Sequence, residues 1–174
     1  MIDADISKFF DTIPHDKLLE LVAKRVVDKN ILKLIRMWLK APVVEEGEDG
    51  KKRYLGNDQG TPQGGVISPL LANIYLNVLD KVWKVKRVQE RMEARLIRYA
   101  DDFVVLCKGH TERILRGVQG VLGGLGLTLN EAKTRMLDVR EESFSFLGFH
   151  LMVIKHPRTG RRFCLIRPAQ KALA

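Results

Sequence analysis

The sequence predicts an α+β domain in which an antiparallel sheet is backed by helices. Short β-rich runs alternate along the chain with longer segments of helical periodicity. Two of the β-rich runs, ARLIRYA and DFVVLCK, meet at a pair of aspartates and indicate a strand, a turn and a second strand. The chain has 174 residues, of which 45% are hydrophobic, and this is enough for the core of one domain of usual size.

The first third of the chain is predicted to hold one strand, two helices and a hairpin. MIDADI alternates apolar and acidic residues, as a short strand does. Residues 15–40 indicate two consecutive helices, because their apolar residues recur at near-helical spacing. These residues are Leu18, Leu19, Val22, Val26, Ile31, Leu34, Ile35 and Trp38. Between Val43 and Asn57, the Asp-Gly pair of EDGKKRY predicts a turn between two extended arms.

The rest of the chain is predicted to alternate helices and strands. GTPQGG interrupts regular structure, and ISPLLANIYLNVLDKVWKVKR then reads as a helix with Ser68 at the N-cap and Pro69 at the first helical position. After the two β-rich runs, TERILRGVQGVLGGLG indicates a glycine-weakened helix that closes near Gly126. Further strands are expected in TRMLDV, FSFLGFHLMVI and RFCLIRP, the last two joined through KHPRTG.

Charge and composition narrow the class of partner. A formal net charge of +9 favours a polyanion, either nucleic acid or an anionic membrane surface. No apolar run approaches the roughly 20 residues that span a bilayer, and no signal-peptide pattern opens the chain, so nucleic acid is preferred and no membrane partner is expected. Cys107 and Cys164 lack the spacing of paired ligands, so we expect buried thiols in a reducing, cytoplasmic compartment.

The adjacent carboxylates Asp101 and Asp102 suggest a metal site, because like charges repel unless a cation or strong donor lies between them. Together with Asp5, at the end of a neighbouring strand, they would form a cluster able to hold two divalent cations about 3.5–4 Å apart. Oxygen-only ligation suits Mg²⁺, with Mn²⁺ as a substitute, and this arrangement serves phosphoryl transfer. Alone, however, an Asp-Asp pair is more often a solvated turn.

Five blocks over nearly the whole chain resemble those of reverse transcriptases, most closely the bacterial group II intron type. They are DADISKFFDTIPHDKL, GTPQGGVISPLLANIYLNVLD, RYADDFVVL, LGLTLNEAKTR and FLGF. The resemblance implies a polymerase palm over residues 1–155, with a partial finger-side insertion at about 13–66. Residues 156–174 would end the palm and begin the thumb. The resemblance starts almost at Asp5, so we expect the upstream fingers to be absent and this chain alone to extend a primer weakly or not at all.

The resemblance also implies roles for individual residues at the metal site and the nucleotide. Asp5, Asp101 and Asp102 would bind the metal ions, with the backbone carbonyl of Ile6 as an additional ligand. Phe10 matches the sugar gate, whose ring excludes a 2′-OH and so selects deoxynucleotides. The alternative for Phe10 is core packing, to which Phe9 is better suited.

Further matches concern the substrate and the primer. Tyr99, Gln63 and Gly64 would contact the incoming nucleotide and template. Lys133 would protonate or neutralise the departing pyrophosphate. The FLGF block would form the primer grip. The primer-grip residues are Phe146, Leu147 and Gly148. The alternatives are a Gly-rich helix cap for Gln63 and Gly64, ordinary surface charge for Lys133, and a core strand with a glycine kink for FLGF.

Basic residues are concentrated in two segments, either of which could follow a nucleic-acid backbone without reading its sequence. Residues 81–98 hold seven basic residues against two glutamates: Lys81, Lys84, Lys86, Arg87, Arg91, Arg95 and Arg98. Residues 151–174 hold six and no acidic residue: Lys155, Arg158, Arg161, Arg162, Arg167 and Lys171. A solvated face is the alternative, and it fits the first segment better than the acid-free second one.

The function that the resemblance implies is RNA-directed DNA synthesis by a group II intron-encoded protein. Deoxynucleoside triphosphates would be added to the 3′ end of a DNA primer on an RNA template by two-metal nucleotidyl transfer, and intron RNA would be a further partner. The alternatives are an RNA-binding maturase-type module and a fragment that keeps the fold without catalysis. A metal-dependent nuclease is less well supported, because TPQGG and Phe10 have no evident purpose there.

Overall fold

The computed structural model describes residues 1–46, 52–62 and 65–169 of the chain. Within these ranges helices and antiparallel strands alternate, so the predicted α+β class is confirmed. In chain order the elements are β1 (Ile2–Ala4), α1 (Phe9–Thr12), α2 (His15–Ala23), α3 (Lys29–Leu39), β2 (Val43–Glu46), β3 (Lys52–Leu55), α4 (Ser68–Val85), α5 (Val88–Met92), β4 (Ala94–Tyr99), β5 (Asp102–Cys107), α6 (Thr111–Leu125), β6 (Arg135–Met136), β7 (Phe144–Phe146), β8 (Phe149–Lys155) and β9 (Arg162–Pro168).

The central sheet has the strand order β4-β5-β1-β6, and all its pairs are antiparallel. β1 is therefore an interior strand, flanked by β5 and β6. Its apolar residues Ile2 and Ala4 are buried, as are Phe103 and Val105 of β5. The sheet thus supplies one side of a hydrophobic core, and the polar residues at the ends of its strands stay outside that core.

Helices α4 and α6 bury their apolar stripes in the same core as the sheet. The buried residues recur every three or four positions, as a helix with one apolar face requires. They are Leu71, Tyr75, Leu76 and Leu79 in α4, and Ile114, Val118, Leu122 and Leu125 in α6. Burial of each such leucine or isoleucine stabilises the fold by roughly 1.5–3 kcal/mol. Both helices were predicted from the sequence.

The start of α4 differs from the prediction by one residue. Ile67 is the N-cap, and Ser68 is the first helical residue, so the N-cap assignment of Ser68 was wrong. The Ser68 hydroxyl instead donates a hydrogen bond to the carbonyl of Pro62, at 2.7 Å. Pro69 lies in the first turn, where its missing N–H leaves no intrahelical bond unmade. Ser68 thus holds the preceding loop against the helix.

The other predicted elements are present with small differences. α2 and α3 are the two predicted consecutive helices, and α6 ends at Gly126, whose φ is 78°. β2 and β3 are the two arms of the predicted hairpin, whose Asp-Gly turn lies outside the described residues. The short helix α1 was not predicted, because its one turn has no repeat from which periodicity could be read.

A second, three-stranded sheet has the order β7-β8-β9. FSFLGFHLMVI forms two strands rather than one, since the chain turns at Leu147 and Gly148, with φ of 49° and 77°. Both cysteines are free, as expected, but Cys164 is exposed, so its expected burial was wrong. Among the described residues no helix is long and apolar enough to cross a membrane.

Candidate active site

The end of β1 and the turn between β4 and β5 lie side by side. In the antiparallel register Ala4 is opposite Phe103, so the residue after Ala4 lies beside the one before Phe103. These two residues are Asp5 and Asp102. Asp101 precedes Asp102 in the β4–β5 turn. The sheet register therefore brings the three predicted carboxylates, far apart in sequence, to one edge of the sheet.

Burial and neighbouring negative charge both act on the pKa of Asp102. It is raised above the ordinary carboxyl value, first by desolvation and then by the negative charges of Asp101, Asp5 and Asp3, whereas Lys133 lowers it. Like charges gathered at one edge disfavour the ionised state of each other unless a positive group compensates. The edge therefore has the electrostatic character of a cation site.

Lys133 supplies a positive charge at this edge. Its Nζ lies 3.6 Å from Oδ2 of Asp5, although both side chains are partly open to solvent. A short turn sets this position, because the backbone N–H groups of Lys133 and Thr134 donate to the carbonyl of Asn130, at 3.2 and 2.8 Å. The structure thus brings the predicted catalytic lysine to the predicted metal-binding aspartate.

Asn130 was not predicted from the sequence as part of this site, although it contacts Asp5 and accepts the backbone bond that positions Lys133. Its backbone N–H donates to the carbonyl of Asp5 at 2.8 Å, and its side-chain Oδ1 accepts from the N–H of Ala132 at 3.2 Å. Asparagine commonly forms such side-chain turns, so the Asn of LNEAKTR carried a usable signal.

The aspartates fit a hard divalent cation by donor chemistry, because Mg²⁺ prefers oxygen ligands and Asp5, Asp101 and Asp102 supply carboxylate oxygens. Across the three described ranges, no group of three or more His, Cys, Asp or Glu side chains is placed to hold a metal ion. Ile6 is buried and forms a β-bridge with Leu129. Metal binding by the three aspartates and the Ile6 carbonyl therefore stays a prediction.

Phe9 and Phe10 differ in burial, although they are adjacent in sequence. Phe9 is buried in the core, as expected, whereas Phe10 is half-buried and only packs against the core from outside. The two rings meet edge to face, with centroids 5.3 Å apart and planes at 64°. Phe10 therefore lies at the border of the core, and its role as sugar gate stays a prediction.

The loop before α4 is fastened to the segment that carries Phe10. The N–H of Thr61 donates to the carbonyl of Phe10 at 2.6 Å, and the N–H of Gly60 donates to the carbonyl of Ile13 at 2.7 Å. His15, also missed from the sequence, lies 2.7 Å through Nε2 from the carbonyl of Gly60. The predicted substrate residues Gln63 and Gly64 lie outside the described residues.

The remaining predicted substrate residues lie on two hairpins. Tyr99 ends β4 opposite Asp102 and is 66% exposed. Leu147, 44% exposed, and Gly148 form the β7–β8 turn, whereas Phe146 packs against a small cluster that includes Val104 of the central sheet. The β7–β8 turn is thereby attached to the sheet that carries the aspartates, and its roles stay predictions.

The predicted basic segments remain largely available to a partner, with one exception. Arg98 forms an ion pair with Asp80 and donates to the side chain of Asn73 and the carbonyl of Ala100, at 2.9 and 2.7 Å. Its side chain is only 11% exposed, so it braces the β4–β5 turn against α4. The other described basic residues of both segments are exposed, and Lys171 lies outside the described ranges.

Comparisons with known proteins agree on one family. Residues 1–151 match the family described as reverse transcriptase (RNA-dependent DNA polymerase). Protein YkfC of Escherichia coli strain K12 is 33% identical over 99% of this chain and 52% of its own length. Group II intron-encoded protein LtrA of Lactococcus lactis subsp. cremoris is 42% identical over 46% of this chain and 12% of its own length.

The same comparison holds at the level of fold. The apo telomerase of Candida tropicalis superposes with a TM-score of 0.66 at 19% identity, over 87% of this chain and 31% of the telomerase chain. At that identity the match shows a shared fold. The chain spans about half, or less, of the length of the curated relatives that it matches.

Proposed function

The chain belongs to the reverse transcriptase family, with the group II intron type as its relatives, and we propose that it carries the palm of an RNA-directed DNA polymerase. The observation that supports this most strongly is the register of β1 with β5, which brings Asp5 beside Asp101 and Asp102. Polymerisation needs a compact group of carboxylates at the point where the primer end meets the triphosphate.

In this proposal Asp5, Asp101, Asp102 and the carbonyl of Ile6 hold two Mg²⁺ ions, for which Mn²⁺ can substitute. When bound, the ions lower the pKa of the attacking hydroxyl and neutralise charge on the leaving pyrophosphate. The aspartates contribute negative charge at set positions, because the pairing of β1 with β5 fixes the backbone on which Asp5 and Asp102 lie. The raised pKa of Asp102 is what such a site is expected to show before its charge is compensated.

Lys133 and Phe10 have separate roles in the proposed reaction. Lys133, 3.6 Å from Asp5, is close enough to the aspartates to donate a proton or a positive charge to the pyrophosphate. The half-buried ring of Phe10 would lie against the sugar and exclude a 2′-OH. Tyr99, Gln63 and Gly64 would contact the nucleotide and template.

RNA template and DNA primer are the proposed macromolecular partners, with intron RNA as a further one. The primer end would contact the turn formed by Phe146, Leu147 and Gly148. Exposed basic residues near α5 and on β8 and β9 would follow phosphate groups, a contact that depends on charge and not on sequence.

The proposal is tested by primer extension on an RNA template. Because the chain matches about half of YkfC, the assay compares the 174-residue chain with a chimera in which this chain replaces the matched segment of YkfC. We expect the chimera to extend the primer in Mg²⁺ and Asp5→Asn to reduce extension by at least about 100-fold, the scale of one lost electrostatic contact in a transition state. Asp16→Asn, an exposed carboxylate on α2, is the matched control and should extend normally.

An RNA-binding module without catalysis is the second candidate, and one observation favours it. Lys133 lies 3.6 Å from Asp5, where its charge pairs with a carboxylate that a metal ion would need. The two candidates differ in one result. If the chimera binds RNA–DNA duplex but Asp5→Asn and wild type extend a primer equally poorly, the binding module is the better description.

A further inference from the structure

The loop of residues 59–62 packs against α1, and at Gly60 it comes too close to α1 for any side chain to fit. Gly60 has a φ of 86°, and a Cβ there would lie 2.6 Å from the carbonyl oxygen of Phe10 and 2.8 Å from that of Asp11. Glycine is thus required for both conformation and space. The loop therefore packs directly against the backbone of Phe10 and Asp11.

His15 holds the outer side of the same loop. It is the first residue of α2, it is buried, and its Nε2 lies 2.7 Å from the carbonyl oxygen of Gly60. A carbonyl can only accept, so Nε2 carries the proton in this bond. Nδ1 is also buried and has no partner in the described part of the chain. The bond from Nε2 to Gly60 is therefore the hydrogen bond that the ring makes within the described part of the chain.

The loop is therefore linked to the segment of residues 10–15 through three hydrogen bonds, of which the one from Thr61 reaches Phe10 itself. Two are backbone bonds, from Thr61 to Phe10 and from Gly60 to Ile13. The third comes from the His15 side chain and is the one that a mutation can remove without altering the backbone. The loop leads directly into Gln63, for which a nucleotide contact is proposed above.

We propose that His15 is a positioning residue that sets the sugar selectivity of the site, by holding the 59–62 loop at a fixed distance from the Phe10 ring. This inference rests on the proposed function, because selectivity between sugars matters only if the site takes a nucleotide. His15 does not touch the substrate in this proposal. It acts through the carbonyl of Gly60, and loosening that contact would let the gap between ring and loop widen.

Two variants of His15 separate the hydrogen bond from the loss of the ring. In His15→Gln the side-chain amide nitrogen can reach the position of Nε2 and donate to Gly60. In His15→Asn the amide is one bond shorter and corresponds to Nδ1, so the bond to Gly60 is lost while a polar side chain is kept. A purely structural role would rank both variants by lost packing, whereas the proposal predicts that Gln rescues and Asn does not.

The first measurement is amide hydrogen exchange in the 174-residue chain, which needs no substrate. Exchange at Gly60 and Thr61 should become about tenfold faster in His15→Asn and stay near wild type in His15→Gln, because local opening controls exchange. Equal exchange in wild type and His15→Asn would show that His15 does not hold the loop, and would overturn the proposal.

The second measurement is the affinity of the YkfC chimera, bound to an RNA–DNA primer–template in Mg²⁺, for dCTP relative to CTP. His15→Asn should reduce this ratio about three- to tenfold, the effect of one lost neutral hydrogen bond, with His15→Gln near wild type and Phe10→Ala losing discrimination most. A wild type that binds neither nucleotide contradicts the proposed function and the inference together. A wild type that discriminates, with His15→Asn unchanged, overturns the inference alone.

Discussion

Lys133 and Asp5 form a contact of 3.6 Å across two segments that are far apart in sequence. The contact combines a cation with one of the carboxylates proposed to bind metal, so lysine and metal ion would compete for the same charge. Replacing Lys133 by Met should therefore lower the Mg²⁺ concentration that half-saturates the metal-dependent rise in melting temperature. We expect up to about a fivefold change, as for an exposed ion pair, and Lys17→Met is the control because Lys17 bonds Gly124 instead.

Removing the paired aspartates should abolish the metal-dependent stabilisation. A ligand that binds only the folded state raises its stability by mass action, by about 2.7 kcal/mol at 100 times Kd. Calorimetry of wild type in Mg²⁺ or Mn²⁺ should show a rise in melting temperature that Asp101→Asn plus Asp102→Asn eliminates. A shift that survives in the double variant would show that the metal binds elsewhere.

The contributions of Asp102 and Asp138 to the stability of the fold should change with pH in opposite directions. The raised pKa of Asp102 means that the folded state resists its ionisation, so the stability it contributes is present at acid pH and is lost as pH rises through the raised pKa. Asp102→Asn should therefore raise the metal-free melting temperature at pH 7, by less than about 1 kcal/mol of unfolding free energy since the group is largely solvated. The benefit should vanish near pH 3.

Asp138 is the matched comparison for this measurement. Hydrogen bonds from Arg140 hold its pKa well below the usual range, so its contribution is present above the ordinary carboxyl pKa and is lost as pH falls through the lowered pKa. Asp138→Asn should lower the melting temperature at pH 7. If both variants shift the melting temperature in the same direction at pH 7, charge clustering at Asp102 is not the cause.

How much the sequence predicted depended on whether a feature is local. Periodicity was sufficient for α4 and α6, and the Asp-Asp turn was readable because both flanking strands are β-rich. The N-cap was misplaced because serine suits the cap as well as the first helical position, and the shape of the loop back to Pro62 decides where its hydroxyl points. Local pattern alone does not contain that information.

The sequence predicted which residues form the site, but not the hydrogen bonds that hold those residues in place. Asn130 and His15 act through backbone atoms of Asp5 and Gly60, and both contacts exist only once strands and loops have been brought together by the fold. A histidine in IPHDKL is unremarkable as sequence, and the asparagine in LNEAKTR indicates a turn but not the strand that the turn contacts. Their significance comes from sheet register and loop closure, which are long-range properties.

Glycines on α6 should limit the stability of the fold. Gly120 is exposed within the helix, and a Cβ there would meet nothing within 4 Å. Gly120→Ala should therefore raise the unfolding free energy by about 0.5–1 kcal/mol. For a chain of this size, each kcal/mol corresponds to roughly 2–4 °C in melting temperature. Gly126→Ala should destabilise instead, because φ is 78° and its Cβ would lie 3.2 Å from Pro14.

Binding to RNA should depend on the exposed arginines of β9. Replacing Arg162 and Arg167 by Ala should weaken binding equally for RNAs of different sequence, since phosphate contacts carry no sequence information. Each lost contact should reduce the slope of log K against log salt by about 0.7 on single strands. Lys24→Ala plus Arg25→Ala, exposed beyond the end of α2, is the control. An unchanged slope in the β9 variant would remove that strand from the RNA-binding surface.

The role of Phe10 as sugar gate can be separated from its role in packing, because Phe9 already occupies the core. Phe10→Ala and Phe10→Val should increase ribonucleotide incorporation relative to deoxynucleotide in single-nucleotide extension by the YkfC chimera, since removal of the ring opens space for the 2′-OH. Phe9→Leu is the matched control. It should lower the melting temperature through lost core packing, at a cost of up to about 1.5 kcal/mol, without altering the ratio of the two nucleotides. Unchanged discrimination in both Phe10 variants, with normal extension, would return Phe10 to a packing role.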